Sequence, residues 1–542
     1  MEVAAAVHSI PWLTLVLVVP LGTALLLQLL PRTAAGAIKA TTVAGTLAVA
    51  GIVAGLLIAF NQSAASSTPG RGLTLQFQER HSWIPGIGAS YHLGLDGLSG
   101  WLLALDAAVF LIGAVVVSRR ATERPKFYCT LLLLTEAATA GVLLSADLLL
   151  FYLFWEAMLV PLYFILGSYG DANRGRATIK FIIYTAAGSL LMLVAIIYIT
   201  FQAQQATASA ANPSGTLSFD LQTLINSPAV SAAQDRVSVL GFATLTPAQW
   251  AFLAFAAAFA IKVPLVPFHT WLPDSYTSAP PQVLTFFAGI VSKLGAYGFI
   301  RYGLTLFPGP VHHFQWLLMS LAVVSIVYSA LLALSQADIK RIVAYASISH
   351  LGFIVLGIFA LNENGINGAI IQMINHGIII VALFLVVGYI EERTGTRDRH
   401  ELSGLEARMP WLYALFLVIT LAGLGMPGMN SFVGEFTILV GAFQANPVFT
   451  VLAGLGTVLA CWYMLRLHQG LMHDPIQGRL ERIGDLRVGE GLTLAPLVAL
   501  MVLIGVFPRP IGDVARGNVH QYATIATSEP GASPATASAP GP

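Results

Sequence analysis

Residues 247–268 read PAQWAFLAFAAAFAIKVPLVPF. The run is as long as the roughly 20 apolar residues a helix needs to cross a bilayer. It holds one charge, Lys262, followed by Pro264 and Pro267. Proline removes a backbone hydrogen bond and clashes with the carbonyl four residues back. The spacing therefore predicts a helix that breaks just past its charge. Backbone groups freed at membrane depth are tolerated only against protein or water. A mid-bilayer ammonium costs roughly 2.5–3.5 kcal/mol on insertion scales. A span that keeps both features is read as one that uses them.

The rest of the chain agrees with a membrane setting. Of 542 residues, 56% are hydrophobic and 10% charged, with a mean hydropathy of +0.77. Soluble domains carry about 25% charged residues, so a soluble multidomain protein is excluded. Lys and Arg total 27 against 26 Asp and Glu. No basic stripe stands out, which argues against nucleic acid as a partner. Cys129 and Cys461 both lie in apolar runs, and two cysteines cannot build a disulfide framework, an iron–sulfur cluster or a Cys-based zinc site. There is no phosphate loop and no strand–GxGxxG–helix unit. The pair His312-His313 reads as a solvated outer loop.

Apolar segments recur at 11–30, 38–60, 93–117, 127–145, 148–168, 178–201, 247–268, 281–303, 314–334, 342–360, 366–390, 410–444, 448–467 and 490–508. The expected fold class is an all-α polytopic membrane protein of about fourteen transmembrane helices. The 410–444 stretch is too long for one straight crossing, and Gly423, Gly425, Pro427 and Gly428 break it. No Lys or Arg precedes Pro31, so the first run reads as a retained span rather than a cleaved signal. With the N-terminus outside, the inner connections hold nineteen Lys and Arg and the outer ones six. That is the positive-inside bias, and it puts both termini outside. Interrupted spans in two halves point to a transport site on an inverted repeat. Broken spans seven and twelve lie five apart, so the repeats would be spans four to eight and nine to thirteen. The expected organisation is three N-terminal spans with an outer loop (1–126), a first repeat (127–303), a second repeat (314–467), a final loop and span (468–508) and an outer tail (509–542). The tail's last fifteen residues are too rich in small residues and proline to bury a core, and are expected to be disordered.

Ionisable residues deep in the spans are the candidate site. Glu156 lies near the centre of span five, Lys262 in span seven and Lys293 at the centre of span eight. His350 and His376 are central in spans ten and eleven, and Glu435 follows the break in span twelve. His269 is placed two turns past Lys262 on the same face, toward the inner side. Asp106 and Glu136 are further candidates. Structural alternatives stand beside each. The histidines could be packing residues or, less simply, haem ligands. Glu156 and Lys262 could be a plain ion pair, Glu435 a helix cap, and His269 a cap for carbonyls freed by Pro267. Asp106 and Glu136 could serve contacts within the bundle. Read together, the row of titratable groups is a proton or cation path lying in the membrane. Tyr345, Ser347, Ser349 and Asn375 add polar groups between Lys293 and Glu435.

Four segments carry a resemblance: FWEAMLVPL at 154–162, KVPLVPFHTWLPD at 262–274, SKLGAYG at 292–298 and GMPGMNSFVGEF at 425–436. They are similar to the antiporter-like proton-channel subunits of respiratory complex I, NADH–quinone oxidoreductase. Relatives in multi-subunit cation/proton antiporters and membrane-bound hydrogenases share this core. Glu435, where the sister L and N types usually carry Lys, the end after fourteen spans without a long lateral helix, and GLDGLS at 94–99 resemble the M-type branch.

The resemblance implies a fold with two inverted five-helix repeats and outward proton conduction driven by quinone reduction in other subunits. Glu156, Lys262, Lys293, His350, His376 and Glu435 would be the path, with His269 as a cytoplasmic intake. It implies no cofactor in this chain, flavin and iron–sulfur clusters belonging to partner subunits. The implied partners are the other membrane subunits, especially the sister subunits L and N, and the lipid bilayer. Length, alanine content and the tail suggest a bacterial plasma membrane.

Overall fold

Among the described residues, twelve helices of the computed structural model are long and apolar enough to cross a membrane. The structure describes residues 10–61, 72–120, 122–209, 212, 215–227, 237–238, 244–476 and 478–527. The twelve are α1 (Trp12–Leu29), α2 (Ala35–Ala59), α3 (Gly97–Ser118), α4 (Pro125–Leu144), α5 (Leu148–Tyr169), α6 (Arg174–Ala206), α10 (Pro281–Leu306), α11 (Pro308–Ser335), α12 (Ile339–Ile358), α13 (Glu363–Thr394), α16 (Pro447–Met472) and α17 (Val488–Val506). Two shorter apolar helices, α8 (Pro247–Lys262) and α14 (Pro410–Gly423), lie at the two expected breaks. Each is followed by a second piece, α9 (Trp271–Ser278) and α15 (Asn430–Ala445) respectively. The short helix α7 (Leu221–Ile225) lies in the connection between α6 and α8.

Helix starts follow local chemistry. Thr246 and Gln249 close a capping box at α8, with Pro247 in the first turn, where a missing N–H costs nothing. Asp338 caps α12 and Asn362 caps α13 through their side chains. These groups satisfy backbone donors left open at a helix start.

The helices sort by environment. Those carrying Lys293 and His376, α10 and α13, are wholly buried over their most apolar stretch, whereas α1 and α16 leave most of theirs exposed. Lipid-facing Leu25, Leu29, Val451 and Val458 are exposed accordingly. The ionisable residues therefore sit on the innermost helices, not on the face toward lipid. Glycines let two helices of this core approach closely, as small residues do in membranes. A Cβ on Gly441 would meet the Gly365 backbone at 2.3 Å, and one on Gly368 would meet Ile438 N at 2.6 Å.

Among the described residues, the long connections after α2 and α6 hold two short antiparallel pairs. β1 (Gln76–Ile84) and β2 (Ala89–Leu95) form an antiparallel hairpin, and β3 (Val237–Ser238) pairs with β4 (Thr244–Leu245).

The first part of the tail is helical. Residues Arg509–Thr527 form an amphipathic helix, α18, with Ile511, Val514, Val519, Tyr522 and Ile525 buried. Its mean composition is too polar to register as a span, but apolar residues recur at helical spacing. The expected disorder of the last fifteen residues falls on 528–542, outside the described residues. A buried lock holds α18 in place. Arg301 Nη1 donates to Asp96 Oδ2 at 2.6 Å and to the Tyr522 hydroxyl at 2.9 Å, and Tyr522 donates to Asp96 Oδ2 at 2.6 Å. Asp96 also caps α3 in a box with Ser99. Gly97 must lack a side chain here, because a Cβ would sit 2.5 Å from Val514 O.

Removing one partner of a buried polar group costs about 1–3 kcal/mol. Tyr522→Phe is therefore expected to loosen α18 without unfolding the bundle. Limited trypsin digestion should cut faster after Arg516, which precedes Gly517, and unchanged cleavage there would show that the lock does not hold the helix.

Candidate functional site

Lys262 is the last residue of α8, and the chain turns at Val263. The break is pinned from two sides. Trp271 donates its indole N–H to Ile261 O at 2.8 Å, and Val266 N donates to Ser325 Oγ at 2.9 Å. Lys262 is 1% exposed, and its ammonium lies 5.2 Å from the Trp155 ring centre and 5.6 Å from that of Phe181. Aromatic faces stabilise a desolvated cation within about 6 Å.

The expected pair of Glu156 with Lys262 takes a looser form. Among the described residues no ion pair joins them: Lys262 Nζ and Glu156 Oε1 are buried and make no hydrogen bond. The two aromatic rings occupy the lysine's immediate contacts instead. The helix carrying Glu156 is also interrupted, at Met158, two residues on.

Lys293 lies between two π-helical segments of α10, Phe287–Val291 and Phe299–Gly303. Such bulges free carbonyls from the helical ladder and occur often at functional sites. Lys293 Nζ donates to one of them, Ala288 O, at 2.5 Å, and to Ser292 Oγ at 3.3 Å. A Cβ on Gly295 would meet Phe259 O at 2.7 Å and Val263 N at 2.9 Å. So α10 crosses α8 at the break beside Lys262, two residues from Lys293.

On the other side of Lys293 the polar groups become contiguous. A Cβ on Gly377 would meet Gly289 O at 3.0 Å, so α13 crosses α10 one residue past His376. The rings of His350 and His376 have centres 6.0 Å apart. His350 Nδ1 lies 2.7 Å from Glu435 Oε1, and its Nε2 lies 3.2 Å from the Tyr463 hydroxyl. Gln372 Nε2 donates to Glu435 Oε1 at 3.0 Å, and Ser431 Oγ donates to the same oxygen at 3.1 Å. Asn375 Nδ2 donates to Asn430 O at 2.7 Å, at the first residue of α15. Both ring nitrogens of His376 are buried without a partner, as is Ser347 Oγ. A water needs two to four polar partners, and these groups supply that number.

Three residues escaped the reading of the sequence: Gln372, Ser431 and Tyr463. Two carried a signal. Gln372 precedes His376 by four, and Ser431 precedes Glu435 by four, which puts each pair on one helix face. Tyr463, on α16, has no local signal, since only packing brings it to His350.

His269 does not sit where helical register placed it. The helix ends at Lys262, so a two-turn offset on one face does not apply. His269 lies in a short 3-10 turn, Phe268–Thr270, is buried, and packs edge-on against Tyr328 at 5.7 Å. Beyond it α9 folds back into the bundle with Trp271, Leu272 and Tyr276 buried. Asp274 faces outward to Lys180 at 2.8 Å and Arg341 at 3.6 Å. Asp106 and Glu136 are fully buried, and none of their four carboxyl oxygens has a hydrogen-bond partner. They lie on α3 and α4, apart from the hydrogen-bonded groups around Glu435.

The loop after α14 aims Glu435. Gly425 has φ +76°, and a Cβ there would sit 3.2 Å from Glu435 Oε2. The left-handed conformation costs a non-glycine residue about 1–2 kcal/mol. Gly425→Ala is thus expected to lower proton translocation several-fold while leaving every titratable group in place. Translocation equal to wild type in the assembled membrane would show that the loop does not control the carboxyl.

A polytopic bundle with two broken helices and a buried row of Lys, His and Glu defines an antiporter-like membrane subunit. The profile of the NADH:quinone oxidoreductase/Mrp antiporter transmembrane family matches residues 145–460, and the chain belongs to that family. It is 35% identical to NADH-quinone oxidoreductase subunit M of Mycobacterium tuberculosis (strain CDC 1551 / Oshkosh), over 94% of this chain and 93% of the relative. Among solved structures it is similar to a chain of respiratory complex I from Thermus thermophilus with bound NADH. That match has a TM-score of 0.79, 32% identity, and covers 95% of this chain and 99% of the other. A chain of the Mrp complex from Dietzia sp. DQ12-45-1b shares the fold at a TM-score of 0.74 and 21% identity, covering 96% of this chain and 99% of the other.

Proposed function

We propose that the chain translocates protons as a membrane subunit of an NADH–quinone oxidoreductase. The carrying observation is the buried hydrogen-bonded cluster of His350, Glu435, Gln372, Ser431 and Tyr463, continued by His376, whose helix crosses the one carrying Lys293 at Gly377 and Gly289. His350 and Glu435 can accept and release a proton, the Tyr463 and Ser431 hydroxyls can relay one, Gln372 holds the carboxyl in place, and the helix breaks beside Lys262 and Glu435 provide places where the path can open.

In this reading protons come in from the cytoplasmic side past His269 to Lys262. Glu156 sets the charge on Lys262, the proton moves to Lys293, then by the histidines to Glu435, and leaves on the outer side. The two broken helices belong to inverted five-helix repeats. The chain itself carries out no redox chemistry, and flavin and iron–sulfur clusters reside in partner subunits. Those partners are the other membrane subunits, with the L and N types as neighbours. The protein lies in the plasma membrane with both termini outside.

A second reading, a subunit of a cation/proton antiporter, is favoured by the family's breadth and by the shared fold. One experiment separates them. In inverted membrane vesicles, NADH-driven acidification should fall when the chain is deleted and return on complementation. Acidification unchanged by the deletion would overturn the proposal, and sodium-driven exchange without NADH would establish the antiporter.

A further inference from the structure

We infer that a basic cleft between α1 and α4, at the membrane edge, binds the phosphate headgroup of an anionic phospholipid. The cleft has a volume of about 740 Å³, within the roughly 300–1,000 Å³ usual for ligand sites. Arg32, Arg124 and Lys126 line it together with Gln28, Thr130 and Phe127, and no carboxylate joins them among the described lining residues.

The cations differ in how they are occupied. Lys126 Nζ donates to Gln28 O at 2.8 Å and Leu30 O at 2.9 Å. It closes the end of α1, where a cation also suits the helix dipole. Arg32 and Arg124 have no ion pair or side-chain hydrogen bond among the described residues. This contrasts with Arg120, Arg393 and Arg397, which pair with Glu392, Glu490 and three carboxylates respectively. Two free guanidiniums at one cleft present planar donor forks that match phosphate oxygens.

Depth and surroundings select a lipid over a soluble anion. The floor is a Gln28–Thr130 hydrogen bond of 2.9 Å between the two helices. Beside it, toward the membrane interior, α1 exposes Leu25, Leu26 and Leu29, and Phe127 packs edge-on with exposed Phe164. A basic head site beside an apolar exposed wall is the arrangement that holds a headgroup with its acyl chains. The Pro31–Ala34 turn places Arg32 directly at the end of that wall.

The test uses the purified complex containing this chain, with Arg32→Gln/Arg124→Gln compared to wild type. Both residues lie apart from the proposed proton path, so basal assembly and turnover should be retained. Each surface cation contributes about 1 kcal/mol to anionic-lipid attraction, so the double variant should hold such a lipid roughly tenfold or more weakly. Native mass spectrometry should show phosphatidylglycerol or cardiolipin retained by wild type and lost from the variant. Vesicles of phosphatidylcholine with added phosphatidylglycerol should restore that occupancy in wild type only. Equal retention by both proteins overturns the inference. So does displacement of the lipid by inorganic phosphate, which would make the site one for a free anion. So does a crosslink from a cysteine at position 124 to a neighbouring subunit instead of lipid. Lipid occupancy is read whether or not the complex pumps, so failure of the proposed function is distinguishable.

Discussion

Glu435→Ala is expected to stop proton translocation in an assembled complex, with NADH-driven turnover falling with it. Losing a positioned proton-transfer group costs about 10²–10⁴-fold in rate, and here the group is the hub of a network. Glu435 Oε1 is within hydrogen-bond distance of His350, Gln372 and Ser431 at once. Alanine removes the carboxyl and leaves His350 Nδ1 and Ser431 Oγ without that partner, while Gln372 keeps its bond to Ser431, at about 1–3 kcal/mol for each buried group left unpaired. Thermal stability should therefore fall too, and the two effects must be separated. Glu435→Gln does so. Its amide oxygen can still accept from Gln372 and Ser431, so the complex should keep its stability, but it holds no exchangeable acidic proton and translocation should be lost. Glu435→Lys keeps a titratable group but requires Gln372 to present its oxygen, so partial transfer is expected. Proton translocation in vesicles checks all three. Unchanged stoichiometry in Glu435→Ala would remove Glu435 from the path.

Lys262 is the second large effect. Lys262→Met preserves the length and apolar stem of the side chain and its packing between Trp155 and Phe181, but removes the ammonium. Translocation should fall by about 10²-fold or more, with assembly intact, because methionine fills such sites well. Glu156→Gln should reduce translocation less severely, and Glu156→Asp should keep part of it. The gradation follows from geometry. Glu156 makes no direct bond to Lys262, so it acts through its field, which falls with distance and strengthens in low dielectric. Parallel measurement of vesicle acidification and quinone reductase activity tests this. Normal pumping by Glu156→Gln would leave Glu156 a structural role only.

Both experiments rest on residues that the sequence already singled out, and on partners it did not. Burying charge in an apolar run is conspicuous in one dimension, because most of the neighbouring letters are hydrophobic. Glu156, Lys262, Lys293 and Glu435 stand out for that reason. The breaks were legible in the same way, since proline and glycine act on their own backbone. Thus α8 ends at Lys262, ahead of Pro264, and α14 ends at Gly423, with α15 beginning at Asn430.

The errors share a cause. His269 was placed by counting helical turns through a break, and the count fails where the helix stops. The pairing of Glu156 with Lys262 was drawn from opposite charge, yet the rings of Trp155 and Phe181 stand against the ammonium. The helix Arg509–Thr527 does not stand out in composition because its polar face outweighs its apolar one, although the spacing of its apolar residues is helical.

Hydrophobic length, charge placement and helix breakers are local quantities, and by themselves they determined a polytopic membrane bundle with two interrupted helices and a buried row of ionisable groups. Which of those groups meet was decided only by tertiary packing. His350, Glu435 and Tyr463 come from three different helices, and the approach of α13 to α15 that brings Gln372 to Glu435 depends on glycines facing each other across the interface. A hydrogen bond needs its two heavy atoms about 3 Å apart. For residues 85 or 113 positions apart in the chain, that distance is set by how whole helices pack, not by any local pattern.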